Sequence, residues 1–147
     1  MLLVDLDKLS QINQHFAHRV GNAVLYTVYQ ILRHSQADFS GRCGDDTFYA
    51  IFLQVPADRT EQLAEILCHD IGTYGWDNLA AGLSVTCSIG VAHYDKEEPP
   101  IDWPVRAAIG MRRAKEKGGN QVSPGPAMLP LADGSYRVSR NLADYFS

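Results

Sequence analysis

Cysteine is scarce in this chain: Cys43, Cys68 and Cys87 are three among 147 residues. An odd number without C-x-x-C spacing argues against a disulfide framework or a zinc site. All three sit in apolar stretches and read as small core positions, which fits a reducing, cytoplasmic setting. Long apolar runs are missing too, because Asp5 and Asp7 interrupt the opening Met1-Leu2-Leu3-Val4 at once. Neither a signal peptide nor a membrane span is expected. Positive charge is also short: 13 Lys and Arg against 17 Asp and Glu leave a formal net charge of −4. Such a surface lacks the basic field that holds duplex nucleic acid. Internal repeats and low-complexity segments are absent as well. What is there is a chain with 46% hydrophobic residues, at a length that suits one domain with a single core.

Hydrophobic periodicity orders the elements. Residues 1–6 read as a buried strand, and residues 9–34 carry Ile12, Phe16, Val20, Val24, Leu25, Val28, Ile31 and Leu32 at helical spacing, which predicts one long amphipathic helix. Two β-rich runs, 39–43 and 47–55, flank Gly44-Asp45-Asp46 as a hairpin. A second helix is expected over 59–71, ended by glycines. Residues 83–92 are rich in β-branched side chains and are expected to form the central strand. A third helix over 103–117 has Pro104 in its first turn and Gly118-Gly119 past its end. The order β-α-β-β-α-β-α is that of a ferredoxin-like α/β (α+β) fold, with a mainly antiparallel sheet backed on one face by helices and the other face open. A domain at 1–122 is expected, followed by a 123–147 tail in which Tyr136, Tyr145 and Phe146 are candidates for docking or partner contact.

Two acidic clusters carry the chemistry. Asp5-Leu6-Asp7 ends the first strand, and Asp45-Asp46 sits on the hairpin tip. If the strands are neighbours, these carboxylates converge, and a set of oxygen ligands suits Mg²⁺ or Mn²⁺ completed by substrate phosphates. Each cluster also has a plain structural reading: Asp7 as a helix N-cap, Gly44-Asp45-Asp46 as a turn, and Lys115 as a cation at a solvated helix end.

Asp5-Leu6-Asp7, then Ile12-Asn13, His18 and Gly21, then Arg42-x-Gly44-x-Asp46-x-Phe48, then Ser88-Ile89-Gly90-Val91-Ala92, then Ala114-Lys115-Glu116-Lys117-Gly118-Gly119-Asn120 resembles, in order and spacing, the diguanylate cyclase (G-G-D-E-F) family. The likeness runs from residue 2 to about 122. Cys43-Gly44-Asp45-Asp46 and His93-Tyr94 also resemble a relative in the same palm superfamily, the stand-alone minimal CRISPR polymerase, whose tetrad is G-G-D-D. Two registers follow. Anchoring on Arg42 and Phe48 makes Asp46 the ligand, with Asp45 in a glycine position and Thr47 in an acid position. Anchoring on Gly44 makes Asp45 and Asp46 the acidic pair and leaves no ligand missing; this second register is preferred.

The resemblance implies a metal-dependent nucleotidyl cyclase that joins nucleoside triphosphates into a cyclic di- or oligonucleotide and releases pyrophosphate. It implies Asp5, Asp45, Asp46 and Lys115 as catalytic residues. Mg²⁺ or Mn²⁺ would be held by Asp5, the Leu6 carbonyl, Asp45 and Asp46, with Asp7 as a ligand or its neighbour. Nucleotide contacts fall on Asn13, Asn22, Lys115, Arg42 and the helix start at Leu9. Arg42 also has a reading as a structural ion-pair partner. Asn22 stands where the family has an acid facing guanine, and an amide lacks the charge that rewards guanine's two donors, which tilts the expectation from GTP toward ATP. The expected partners are a second copy of the chain and, by the CRISPR-like resemblance, a separately encoded cyclic-nucleotide receptor in antiviral signalling. The rival expectation is a degenerate domain acting as a nucleotide receptor or scaffold.

Overall fold

A computed structural model describes residues 1–127, 129–130, 132–134 and 136–137. The elements are β1 (Leu2–Leu6), α1 (Leu9–Phe16), α2 (His18–His34), β2 (Phe39–Arg42), β3 (Thr47–Ile51), α3 (Ala57–Thr73), β4 (Cys87–Val91), α4 (Asp102–Glu116) and β5 (Gln121–Pro124), with a small β6 (Leu129–Pro130) and β7 (Tyr136–Arg137) pair. The five-stranded sheet runs β2-β3-β1-β4-β5. All its pairings are antiparallel except the parallel β4–β5 pair. The first four strands have the ferredoxin-like order, and β5 extends the sheet beside β4.

The central strand is β1, not the 83–92 segment. β4 is shorter than that segment because β1, its partner, ends at Leu6; beyond it, only the Asp7 N–H to Thr86 carbonyl bond continues the pairing, at 2.9 Å. β5, unforeseen in the sequence, runs through the expected boundary at 122 to Pro124. The tail contacts expected of the Tyr136, Tyr145 and Phe146 side chains lie outside what is described.

Strand alternation splits the residues between two faces. Leu2, Val4, Leu6, Phe48, Ala50, Ile89 and Val91 form one core with Val24, Val28 and Leu32 of α2 and Leu67, Cys68 and Ile71 of α3. The other face is partly covered as well, which corrects the one-sided arrangement. There α4 lies on β4, β5 and β1, close enough that a Cβ on Gly90 would overlap the Ala107 carbonyl and the Met111 nitrogen. The half-buried Gly41, Thr47 and Tyr49 continue this face beyond α4. Its far end is fastened by a buried ion pair in which Arg106 Nε donates to Glu98 Oε2 at 2.9 Å.

The expected long helix is two. It breaks at Ala17, whose φ of 80° and ψ of 154° lie in a region that L residues rarely occupy. The Ala17 carbonyl restarts the helix by accepting the Val20 and Gly21 N–H groups. Neither Gly nor Pro marks the break, so periodicity ran through it.

Candidate active site

β1 brings Asp5 to the α4 side of the sheet, directly across from Thr47 on β3 and Ser88 on β4. Its side chain is buried, and Thr47 Oγ1 donates to Asp5 Oδ1 at 3.1 Å. From the last turn of α4, Lys115 reaches down and ion-pairs with Asp5 Oδ2. Burial pulls the Lys115 ammonium below its ordinary value, and the neighbouring carboxylate opposes that loss by favouring the charged form.

Asp7 is engaged differently. Its Oδ1 accepts from Ser88 Oγ at 2.7 Å, and its Oδ2 accepts from Thr86 Oγ1 at 2.7 Å and from the Asn120 N–H at 2.8 Å. This carboxylate clamps the end of β1 to β4 and to the α4–β5 turn. The turn passes so close that a Cβ on Gly119, which has φ 75°, would crowd the Asp7 carboxyl. Asp7 does not cap α1, whose start has no side-chain cap. The first N–H groups of α1 are therefore left without a side-chain acceptor at the cap.

At the hairpin, the Leu6 N–H donates to the Asp46 carbonyl at 3.1 Å, which sets Asp46 beside the strand end. Asp45 is exposed on the bend. Arg42 holds that bend, with Nε on the Gly44 carbonyl at 2.8 Å and Nη2 on the Asp45 carbonyl at 2.5 Å. Asn22 and Arg42, with Leu25, Tyr26, Tyr29, Gly41 and Phe48, line a cavity of about 510 Å³. Asn13 lies on α1 against Gly21, where a Cβ would overlap its Oδ1; that oxygen is buried without a hydrogen-bond partner. A roomier cavity of about 730 Å³ between α2 and α3 contains none of the expected residues.

Among the described residues, no three His, Cys, Asp or Glu side chains group closely enough to hold an ion. The buried Asp5 carboxylate is a hard oxygen donor of the kind Mg²⁺ and Mn²⁺ accept. These ions keep waters and take substrate phosphates, so a full protein cage is not required. The Lys115 ammonium on Asp5 marks the carboxylate as a place for positive charge. The residues fit such an ion if Lys115 moves aside.

Residues 1–121 match the family described as diguanylate cyclase, GGDEF domain. The chain belongs to the GGDEF domain family. Among curated proteins it is 29% identical over 124 residues to diguanylate cyclase DgcP of Pseudomonas aeruginosa, covering 83% of this chain and 18% of that protein. It is equally similar to diguanylate cyclase DgcM of Escherichia coli, over 83% of this chain and 30% of that one. The chain thus spans less than a third of either relative. Among solved structures it resembles the GGDEF domain of DgcB from Caulobacter crescentus in complex with c-di-GMP, with a TM-score of 0.75 at 21% identity over 84% of this chain and 75% of that one. It also resembles the active GGEEF domain of a Vibrio cholerae diguanylate cyclase, with a TM-score of 0.74 at 20% identity over 86% and 81%.

In this GGDEF domain the sheet register sets Thr47, rather than Asp45 or Asp46, opposite Asp5. Sequence reasoning missed Thr86, Ser88 and Asn120 as the partners of Asp7. The alternation Thr86-x-Ser88 beside an Asp-x-Asp strand end was the available signal. Cys43, expected in the core, is exposed, whereas Cys68 and Cys87 are buried.

Proposed function

We propose that this GGDEF domain is a nucleotidyl cyclase that joins nucleoside triphosphates into a cyclic dinucleotide. One observation carries the reading: a buried carboxylate, Asp5, meets an ammonium, Lys115, beside the uncapped start of α1. Negative charge for a cation, positive charge for a triphosphate and backbone N–H donors for phosphate oxygens thereby share one rim. In the reaction, a ribose hydroxyl oxygen bonds to an α-phosphorus as the bond to the β-phosphate oxygen breaks and pyrophosphate leaves. A divalent cation at Asp5 supplies acidification of that hydroxyl and charge neutralisation at the α-phosphate. Thr47 fixes Asp5 through Oδ1, and Asp5, Asp46 and the Leu6 carbonyl are the residues that would hold the cation. Lys115 exchanges Asp5 for a phosphate oxygen, and the N–H groups from Leu9 cradle the terminal phosphates. Arg42 keeps the Asp45-Asp46 bend in shape, while Asn13 and Asn22 face the base.

The names of the relatives favour GTP, and the amide at Asn22 favours ATP; resolving the products by mass decides between them. Incubating the chain with each nucleotide, singly and in pairs, with Mg²⁺ or Mn²⁺ should release pyrophosphate and give a cyclic product. Nucleotide binding without pyrophosphate release would move the assignment to a receptor or scaffold, a second reading favoured by Thr47 in the place opposite Asp5. The G-G-D-D-like tetrad makes antiviral signalling through a separate receptor the finer proposal, and unchanged phage sensitivity after deletion of the gene would remove it.

A further inference from the structure

Across the sheet from Asp5 stand two hydroxyl residues, Thr47 on β3 and Ser88 on β4. Both donate to carboxylates of the β1 end: Thr47 Oγ1 to Asp5 Oδ1 at 3.1 Å, and Ser88 Oγ to Asp7 Oδ1 at 2.7 Å. A carboxylate offers about four lone-pair sites, and three of those on Asp7 are taken, by Thr86, Ser88 and the Asn120 N–H. Asp5 has the Thr47 hydroxyl on one oxygen and the Lys115 ammonium on the other. Of the hairpin acids, Asp46 is tied to the strand end through its carbonyl, and Asp45 is exposed on the bend. The strand end is thus surrounded by hydrogen-bond donors and one ammonium, and among the described residues no three His, Cys, Asp or Glu side chains gather around one point.

This donor set limits how much positive charge the site can take. Two divalent ions about 3.5–4 Å apart, as in two-metal sites, repel each other, and carboxylates placed around the pair offset that repulsion. Here the β3 position opposite Asp5 carries a hydroxyl, which has no charge to contribute. On the reading of this site as a cyclase centre, we propose that it holds a single divalent cation per chain and that Thr47 sets that count. Thr47 does so by presenting a hydroxyl to Asp5 where a second carboxylate would be needed to hold a pair. The other positive charge that a triphosphate meets is then the Lys115 ammonium, which already lies at the Asp5 carboxylate.

Mn²⁺ tests this without turnover, because its electron paramagnetic resonance distinguishes an isolated ion from a spin-coupled pair. The chain is titrated with Mn²⁺, alone and with the α,β-methylene analogues of GTP and ATP, which cannot release pyrophosphate, and the tightly bound ion is counted by metal analysis. The unaltered chain should hold one ion and give the isolated-ion signal throughout. Thr47→Glu should double the bound Mn²⁺ and give the coupled signal with the analogue, whereas Thr47→Val, which removes the hydroxyl without adding charge, should stay at one. A coupled pair on the unaltered chain or on Thr47→Val would overturn the proposal. So would a Thr47→Glu chain, folded by far-ultraviolet circular dichroism, that still holds one ion; should that variant fail to fold, the other two chains carry the test. No bound ion under any condition overturns the proposal together with the cation site. One ion on a chain that binds neither analogue supports the count and overturns the cyclase reading instead.

Discussion

Asp5 and Asp7 stand two residues apart on the same side of β1, yet their surroundings give them different work. Asp5 faces an ammonium and one hydroxyl, while Asp7 accepts three hydrogen bonds that hold β4 and the α4–β5 turn to the end of β1. Replacing Asp7 by Ala leaves the hydroxyls of Thr86 and Ser88 without their acceptor. It should cost about 2–3 kcal/mol, read as a lower midpoint in urea. Lys115→Met should do the opposite of a simple loss. With the competing ammonium gone, Mn²⁺ binding to the nucleotide-free chain should tighten several-fold by electron paramagnetic resonance titration, while triphosphate affinity falls. Unchanged Mn²⁺ affinity would show that Lys115 does not stand in the cation's place. The Asp-x-Asp pattern was legible from the sequence because it ends an apolar run. The division of labour was not, because Thr86, Ser88 and Asn120 become neighbours of Asp7 only through strand pairing and the turn beyond α4.

The elements themselves were readable where a single periodicity governed them, as in β1, the β2–β3 hairpin, α3 and α4. They were misread where backbone conformation overrode the side-chain pattern. The break at Ala17 is the plainest case, since apolar spacing continues from Phe16 to Val20 across a residue with φ of 80°. Ala17→Gly relieves that conformation and should stabilise the chain by about 1 kcal/mol, because glycine populates positive φ without the Cβ clash. A lower Tm for the variant would count against the strained hinge. β5 escaped notice because its four residues, Gln121–Pro124, carry little alternation and owe their place to parallel pairing with β4. Gly90 shows how tightly α4 is seated there. Gly90→Ala drives a methyl into the Ala107 carbonyl and should destabilise the fold by about 3 kcal/mol or more, measurable by denaturant unfolding.

At the scale of the molecule, one domain presents one Asp5, one Lys115 and one α1 start, enough chemistry for a single nucleotide. A cyclic dinucleotide needs two nucleotides facing each other, so the proposed activity requires that the domain act as a half-site in a pair, which we propose. That consequence can be read without a structure of the pair. If each protomer must present its own nucleotide with its own Asp5, an Asp5→Asn chain that folds normally will poison the intact chain when subunits exchange. In an equal mixture, about a quarter of the pairs contain two intact protomers. Pyrophosphate release per intact protomer should therefore fall to roughly half its unmixed value at the same intact-chain concentration, and further as the variant is raised. Activity proportional to the amount of intact chain, unaffected by the variant, would mean that one protomer completes both bond-forming steps alone.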